Sequence, residues 1–179
     1  VAPGYKADLL VLDDLDKVIV RDVYKNGEKV VSDGKTLCFD MPKINDALEK
    51  KVRSSFNLPM LSSSDFDVDY NGKRKCHVIS LVDGQLLTDD LVSDIDFDCN
   101  NGIDIEHDIL KIAVIERHHN TGHIGNAFIK GIGLKEGAIA SSVAHDSHNL
   151  IVIGTNTDDM AFAANRIREL GGGIVSVKN

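Results

Sequence analysis

Apolar positions along the chain fall into short runs, one stretch of clean alternation and one helical stripe, a pattern that predicts a β-rich fold with few helices. Leu9, Leu10, Val11 and Leu12 form a run stopped by Asp13 and Asp14. Residues 18–24 and 28–31 flank Asn26-Gly27, a dipeptide that tolerates the positive φ of a type I′ turn, so a hairpin is predicted there. Residues 1–35 thus read as a small all-β unit of about three strands, too small to bury a core without packing on something else. Ile44, Leu48, Val52 and Phe56 lie at near-helical spacing and predict a short helix within 44–56. Residues 57–64 are Pro- and Ser-marked and read as linker, which places the domain boundary within 36–64.

From Asp65 the pattern alternates. Phe66, Val68 and Tyr70 share one face, Asn71-Gly72 turns, and Cys76, Val78 and Ser80 return. Ile95, Phe97 and Cys99, then Asn101-Gly102, then Ile103 and Ile105 repeat the arrangement, with Asp94, Asp96, Asp98 and Asp104 expected toward solvent. A calcium loop starting at Asp96 fails, because its glycine falls one place late and His107 stands where the bidentate Glu belongs. Residues 110–116 read as a strand covered on both faces, as do 138–144 and 149–153. Thr157 is the expected N-cap of a helix with Asp158 and Asp159 in its first turn. Met160, Ala163, Ala164, Ile167 and Leu170 make its apolar stripe, Gly171-Gly172-Gly173 ends it, and 174–177 is a last strand. The prediction is a mixed α/β (α+β) chain. Residues 65–179 form a mostly β-sheet domain with a βαβ unit near the C-terminus, preceded by the small β appendage.

Composition narrows the function classes. Hydrophobic residues make up 42%, enough for a packed core. A net charge of −8 disfavours binding the phosphate backbone, so a nucleic-acid polymer is excluded as partner while a single base stays open. Cys38, Cys76 and Cys99 are scattered, as expected of reduced thiols in the cytoplasm. No apolar run approaches the roughly 20 residues of a membrane span. Regular sequence starts at once from Val1, as expected of a piece of a longer polypeptide.

Five of the seven histidines (His118, His119, His123, His145 and His148) fall within residues 118–148, accompanied by Glu116, Arg117 and Asp146. Both groups follow β-prone runs, where a rigid scaffold can hold side chains at a cleft. Gly122, Gly125, Gly131 and Gly133 mark the first group as a flexible loop, with no P-loop lysine after them. His145-Asp-Ser-His148 sits at the expected tip of a hairpin between two apolar strands. Its imidazoles suit general acid, general base or metal-ligand roles, and Asp146 can fix a tautomer. A polar tip stabilised only by hydrogen bonds fits the same residues, and two histidines alone seldom complete a metal site. Ser141, Ser142 and Ser147 lack a nucleophile-elbow context.

Glu116-Arg-His-His-Asn-Thr-Gly122, Lys130-Gly-Ile-Gly-Leu-Lys135, the string from Gly137 to Asn149, and Gly171-Gly-Gly-Ile-Val175 together resemble the C-terminal domain of bacterial adenine deaminases. The string from Ala2 to Asp13 resembles the small β-unit that trails the barrel in amidohydrolases. The resemblance implies a parent that deaminates adenine to hypoxanthine and ammonia in purine salvage. It implies a metal-activated hydroxide held by paired iron or manganese in a TIM-type barrel outside this chain, with no metal expected here and the isolated chain expected inactive. It also implies a homo-oligomer. His118, His119, His145, Asp146, His148 and Glu116 are then the candidate catalytic residues. The alternative is a structural or oligomerisation domain of an amidohydrolase acting on another purine or cyclic amide.

Overall fold

The computed structural model describes residues 2–38, 43–72 and 74–178, so residues 39–42 of the expected linker lie outside the described residues. The chain divides into two units, 1–45 and 46–179. In the first, β1 (Leu9–Asp14), β2 (Ile19–Lys25), β3 (Glu28–Ser32) and the two-residue β4 (Lys35–Thr36) form an antiparallel meander, one short strand more than predicted. Asn26 and Gly27 take φ values of 50° and 84°, as a type I′ turn requires. The Asp8 carboxylate holds this turn by accepting the Asn26 N–H at 2.8 Å and pairing with Lys25. Asp22 is the only buried residue among those described in the meander, while Leu9, Leu10, Val18 and Ile19 are exposed.

The second unit holds α1 (Asp46–Arg53), β5 (Lys75–Leu81), β6 (Thr88–Asp94), β7 (Ile109–Ile115), β8 (Ile124–Lys130), β9 (Ala138–Ser141), β10 (Leu150–Gly154), α2 (Thr157–Leu170) and β11 (Ile174–Val177). Its seven strands order as β11-β9-β10-β7-β8-β5-β6, with β11 and β6 at the edges. All neighbours are antiparallel except β5 and β8. Because β9 is antiparallel to both β10 and β11, those two run parallel, and α2 is the crossover of the predicted βαβ unit with β9 inserted between its strands. The unit is mostly β-sheet mixed with helix, as the sequence predicts, and the sheet is open.

The cap of α2 lies one residue before the expected one. The Asn156 side chain, not Thr157, accepts the Asp159 N–H at 2.7 Å, and Gly171 closes the helix in the left-handed region at φ 74°. Met160, Ala163, Ala164 and Ile167 are fully buried against Ala113, Ile115, Ala138, Ala140, Leu150 and Val152, whereas Leu170 is exposed. Each large side chain so buried contributes about 1.5–3 kcal/mol. Gly154 lets the helix approach, since a Cβ there would lie 2.4 Å from the Met160 side chain.

α1 is shorter than the predicted 44–56, and Ile44, Leu48 and Val52 are exposed on it or beside it. Residues 55–66, read above largely as linker, form a strap on the core. Leu58, Leu61 and Phe66 are buried in the α2 cluster, and Arg168 and Asn165 bond the Leu58 and Leu61 backbone.

Three expectations fail locally. Residues 66–70 are not a strand: Lys111 Nζ takes the Phe66 carbonyl at 2.7 Å, and Asn126 Nδ2 takes those of Asp65 and Asp67, so side chains replace a ladder. Residues 95–105 form turns rather than a second hairpin. Asn100, Asn101 and Gly102 have consecutive positive φ, and a Cβ on Gly102 would lie 2.8 Å from both Ile95 and Phe128, so the turn curls onto the core. The glycine-rich segment after His119 contains β8, with Gly125 opposite Val114, while Gly122, Gly131 and Gly133 take the positive φ of its flanking turns. β6, rich in Asp, gave no apolar alternation and was not predicted.

Candidate functional site

β7 ends at Ile115, and the chain leaves it through Glu116, whose carboxylate organises the turn that follows. Oε1 accepts the N–H groups of His118 at 2.5 Å and His119 at 2.9 Å. Oε2 accepts the Thr121 N–H at 3.2 Å and its hydroxyl at 2.9 Å. Desolvation pushes the Glu116 carboxyl upward, but the donors from His119, Thr121 and His118 outweigh it and bring it to about 2. A carboxylate this acidic and this fully engaged is a weak base. The geometry gives Glu116 the work of holding the loop.

From this turn two neighbouring side chains reach the β9–β10 connection. His118 Nε2 donates to the Ser147 carbonyl at 2.9 Å, and Arg117 Nε donates to the His148 carbonyl at 2.6 Å. The two groups of histidines, thirty residues apart in sequence, are thereby brought to one rim. The His145 and His148 rings stand 6.1 Å apart and those of His118 and His119 6.3 Å apart. His145 Nδ1 contacts the Asp146 carboxylate beside it. The His145 and Asp146 side chains are 87% and 89% exposed, so this contact orients the ring without sheltering it.

The contact to Ser147 fixes a proton position. A carbonyl only accepts, so His118 carries its proton on Nε2, and Nδ1, without a hydrogen-bond partner among the described residues, is its basic nitrogen. His145 Nδ1 lies against the Asp146 carboxylate, an ion pair when the ring is protonated. The His118 ring thus offers one nitrogen for proton exchange. His119 is exposed and engages Glu116 only through its backbone. His123 stays at the base of the loop, its carbonyl accepting the Glu116 N–H at 3.0 Å. His77 and His107 pair locally with Asp90 and Asp104.

Sequence reasoning missed the strap behind the rim. Asn57 donates its backbone N–H to the Arg117 carbonyl at 2.6 Å and its side-chain amide to the His118 carbonyl at 2.9 Å. Arg117 also bonds the Ser55 carbonyl at 3.2 Å and lies 5.0 Å above the Phe56 ring. The only signal was an Arg between Glu116 and His118; nothing at 55–57 marked a partner sixty residues away.

Among the described residues no group of three His, Cys, Asp or Glu side chains could hold a metal ion, so the residues present do not fit a metal pair. A cavity of about 450 Å³ lies at the opposite end of β7, lined by Asp94, Asp96, Asp104 and Glu106 among others, and none of the candidate residues lines it. No described helix is long and apolar enough to cross a membrane.

The model of the family described as adenine deaminase C-terminal domain matches residues 85–179. An adenine deaminase of Petrotoga mobilis is 43% identical over 179 residues, all of this chain and 31% of its own length. One from Lysinibacillus sphaericus is 40% identical, covering 99% of this chain and 30% of its own. One from Thermosipho africanus is 41% identical, covering 100% and 30%. The chain spans about 30% of the length of the curated relatives it matches.

Proposed function

We propose, from the premise that this chain belongs to the adenine deaminase family as its C-terminal part, that its histidine rim moves protons at the active site of the parent enzyme. Hydrolytic deamination replaces the amino group on C6 of adenine with oxygen, giving hypoxanthine and ammonia, and a proton must reach the departing nitrogen. An imidazole with one nitrogen fixed by a backbone carbonyl and the other free meets that need. His118 offers Nδ1, and Asp146 orients the His145 ring. His119 and His148 complete the rim, and Glu116 holds the turn that carries His118 and His119. The iron or manganese pair has no ligand set among the described residues, and its proposed place is a barrel in the rest of the parent.

The observation that carries this reading is the pair of bonds from His118 and Arg117 to Ser147 and His148, which gathers both histidine groups on one edge of the sheet. The experiment is alanine substitution of His118, His145 and His148 in the full-length enzyme. A positioned acid–base group contributes about 10²–10⁴-fold, so kcat falls by at least about 10²-fold for one or more of them. Activity within about threefold of wild type for all three sinks the reading.

One observation favours a second reading. His145 and Asp146 are almost fully exposed and the cavity at the opposite end of β7 is not lined by the rim, as suits an interface in a homo-oligomer or a domain supporting the barrel. In that case the same variants lose assembly or thermal stability while the surviving enzyme keeps its kcat. A parent acting on another purine or cyclic amide shows itself by higher kcat/KM on that substrate than on adenine.

A further inference from the structure

The rim depends on a contact that belongs to none of the histidine side chains. Arg117 stands just beyond the end of β7 and touches two segments at once. Its Nε donates to the His148 carbonyl at 2.6 Å, one NH2 group donates to the Ser55 carbonyl at 3.2 Å, and its guanidinium plane covers the Phe56 ring at 5.0 Å. Its own backbone carbonyl is held by the Asn57 N–H at 2.6 Å. Phe56 packs in turn against the core beneath α2. The β9–β10 connection is tied at its base, where Ser142 bonds Gly173 and Ser141 bonds Val143, whereas at its tip the His148 N–H bonds the Ala144 carbonyl at 2.6 Å and the side chains of His145, Asp146, Ser147 and His148 project outward.

We propose that Arg117 is a positioning residue, a clamp that ties the strap at residues 55–57 to the tip at 145–148 and thereby sets where His145 and His148 stand relative to His118. The proposal rests on the reading of the rim as a proton-handling site, but the clamp itself is a statement about geometry. Arginine suits the task because its planar fork serves two carbonyls in fixed directions while its face stacks on an aromatic ring, and lysine reproduces only a point charge. Both acceptors are backbone carbonyls, so the clamp needs no ionised partner.

The test uses the full-length parent enzyme and two independent readouts. The first is hydrogen exchange followed by mass spectrometry on the peptide spanning residues 142–150 in wild type, Arg117→Ala and Arg117→Lys. Arg117→Ala raises exchange in that peptide while the peptides of β7 and β10 keep their protection, and Arg117→Lys lies between. Unchanged exchange at 142–150 overturns the clamp whatever the kinetics show. The second is a double-mutant cycle. Arg117→Ala lowers kcat about 10-fold or more with little change in KM, and adding it to His148→Ala costs less than it does alone, because both act through the same tip. Millimolar guanidinium restores part of the activity of Arg117→Ala and none of His148→Ala. Independent, multiplicative losses overturn the route through the tip. A His148→Ala enzyme of full activity overturns the proton-handling reading of that residue, and the exchange experiment still decides the clamp.

Discussion

His118 and Ser147 are joined by a ring nitrogen donating to a backbone carbonyl at 2.9 Å, across twenty-nine residues of sequence. The bond gives one imidazole two tasks on two nitrogens: Nε2 fastens the tip and Nδ1 stays free. The tasks separate by substitution. His118→Gln supplies an amide N–H for the Ser147 carbonyl but no basic nitrogen, and His118→Ala supplies neither. In the parent enzyme both variants lose kcat by about 10²-fold, whereas hydrogen exchange at the tip rises only in His118→Ala. Full activity in His118→Gln shows that Nδ1 takes no part.

Glu116 makes a prediction in pH. Its folded-state carboxyl sits near 2, below the usual 4.5, so its stabilising bonds are complete above about 4.5 and are lost as pH falls toward about 2. The difference in Tm between wild type and Glu116→Gln is steady above about 4.5 and shrinks below it. A carboxyl ¹³C titration places the Glu116 midpoint near 2, and a midpoint near 4.5 contradicts the four-donor arrangement.

Lys111 is a cation sealed in the core, its side chain 1% exposed and its ammonium bonded to the Phe66 carbonyl, with Asp67 at 3.7 Å. Burial lowers its pKa and Asp67 opposes that, so stability rises with pH as Lys111 gives up its proton more readily than it does in the unfolded chain. Lys111→Ala leaves a cavity and an unpaired buried carbonyl, at a cost of about 2–5 kcal/mol in chemical denaturation. Lys111→Met fills the space and removes the charge, so it costs less. Equal losses show that the bond to Phe66, not packing, carries the effect.

Gly137 admits no side chain. Its φ is 81°, and a Cβ would lie 2.0 Å from the Val177 carbonyl oxygen. Gly137→Ala therefore pushes β11 away from β9 and destabilises the unit by about 1–3 kcal/mol or more, read as a lower midpoint in urea. Gly133→Ala, also at positive φ but with open space around it, carries only the backbone cost.

The 179-residue chain incubated with adenine and Mn²⁺ or Fe²⁺ forms no hypoxanthine. The deamination proposed for the parent would draw on a metal-activated hydroxide, and among the described residues no group of three His, Cys, Asp or Glu side chains could hold a metal ion. Turnover above the metal-only control overturns this expectation.

What the sequence made legible follows from where packing is dense. The α2 stripe, its Gly171 cap, β7, β10 and β11 were readable because a helix packed on a sheet imposes its period on residue type. The Asn26-Gly27 turn was readable because its backbone demands those residues. β8 was hidden because Asn126 and Lys130 break its alternation, and Asn126 is spent on the carbonyls of Asp65 and Asp67 rather than on packing. β6 was hidden because an edge strand needs little apolar surface. In the rim, the histidines cluster in sequence, and bonds from His118 and Arg117 to the backbone of Ser147 and His148 join the two loops that carry them. The contacts that gather them, from Arg117, Asn57 and the carboxylate of Glu116, run between side chains and distant backbone, where no spacing rule reaches.

The two ends of the seven-stranded sheet have a colloidal consequence. At one end β6 carries Asp89, Asp90 and Asp94 within seven residues; at the other β11 is only four residues long. A second molecule approaching the first edge meets repelling carboxylates, and one approaching the second finds too short a ladder to register on. Self-templated growth into extended β assemblies is thereby discouraged at both borders of the domain, leaving side-chain surfaces as the route for specific association.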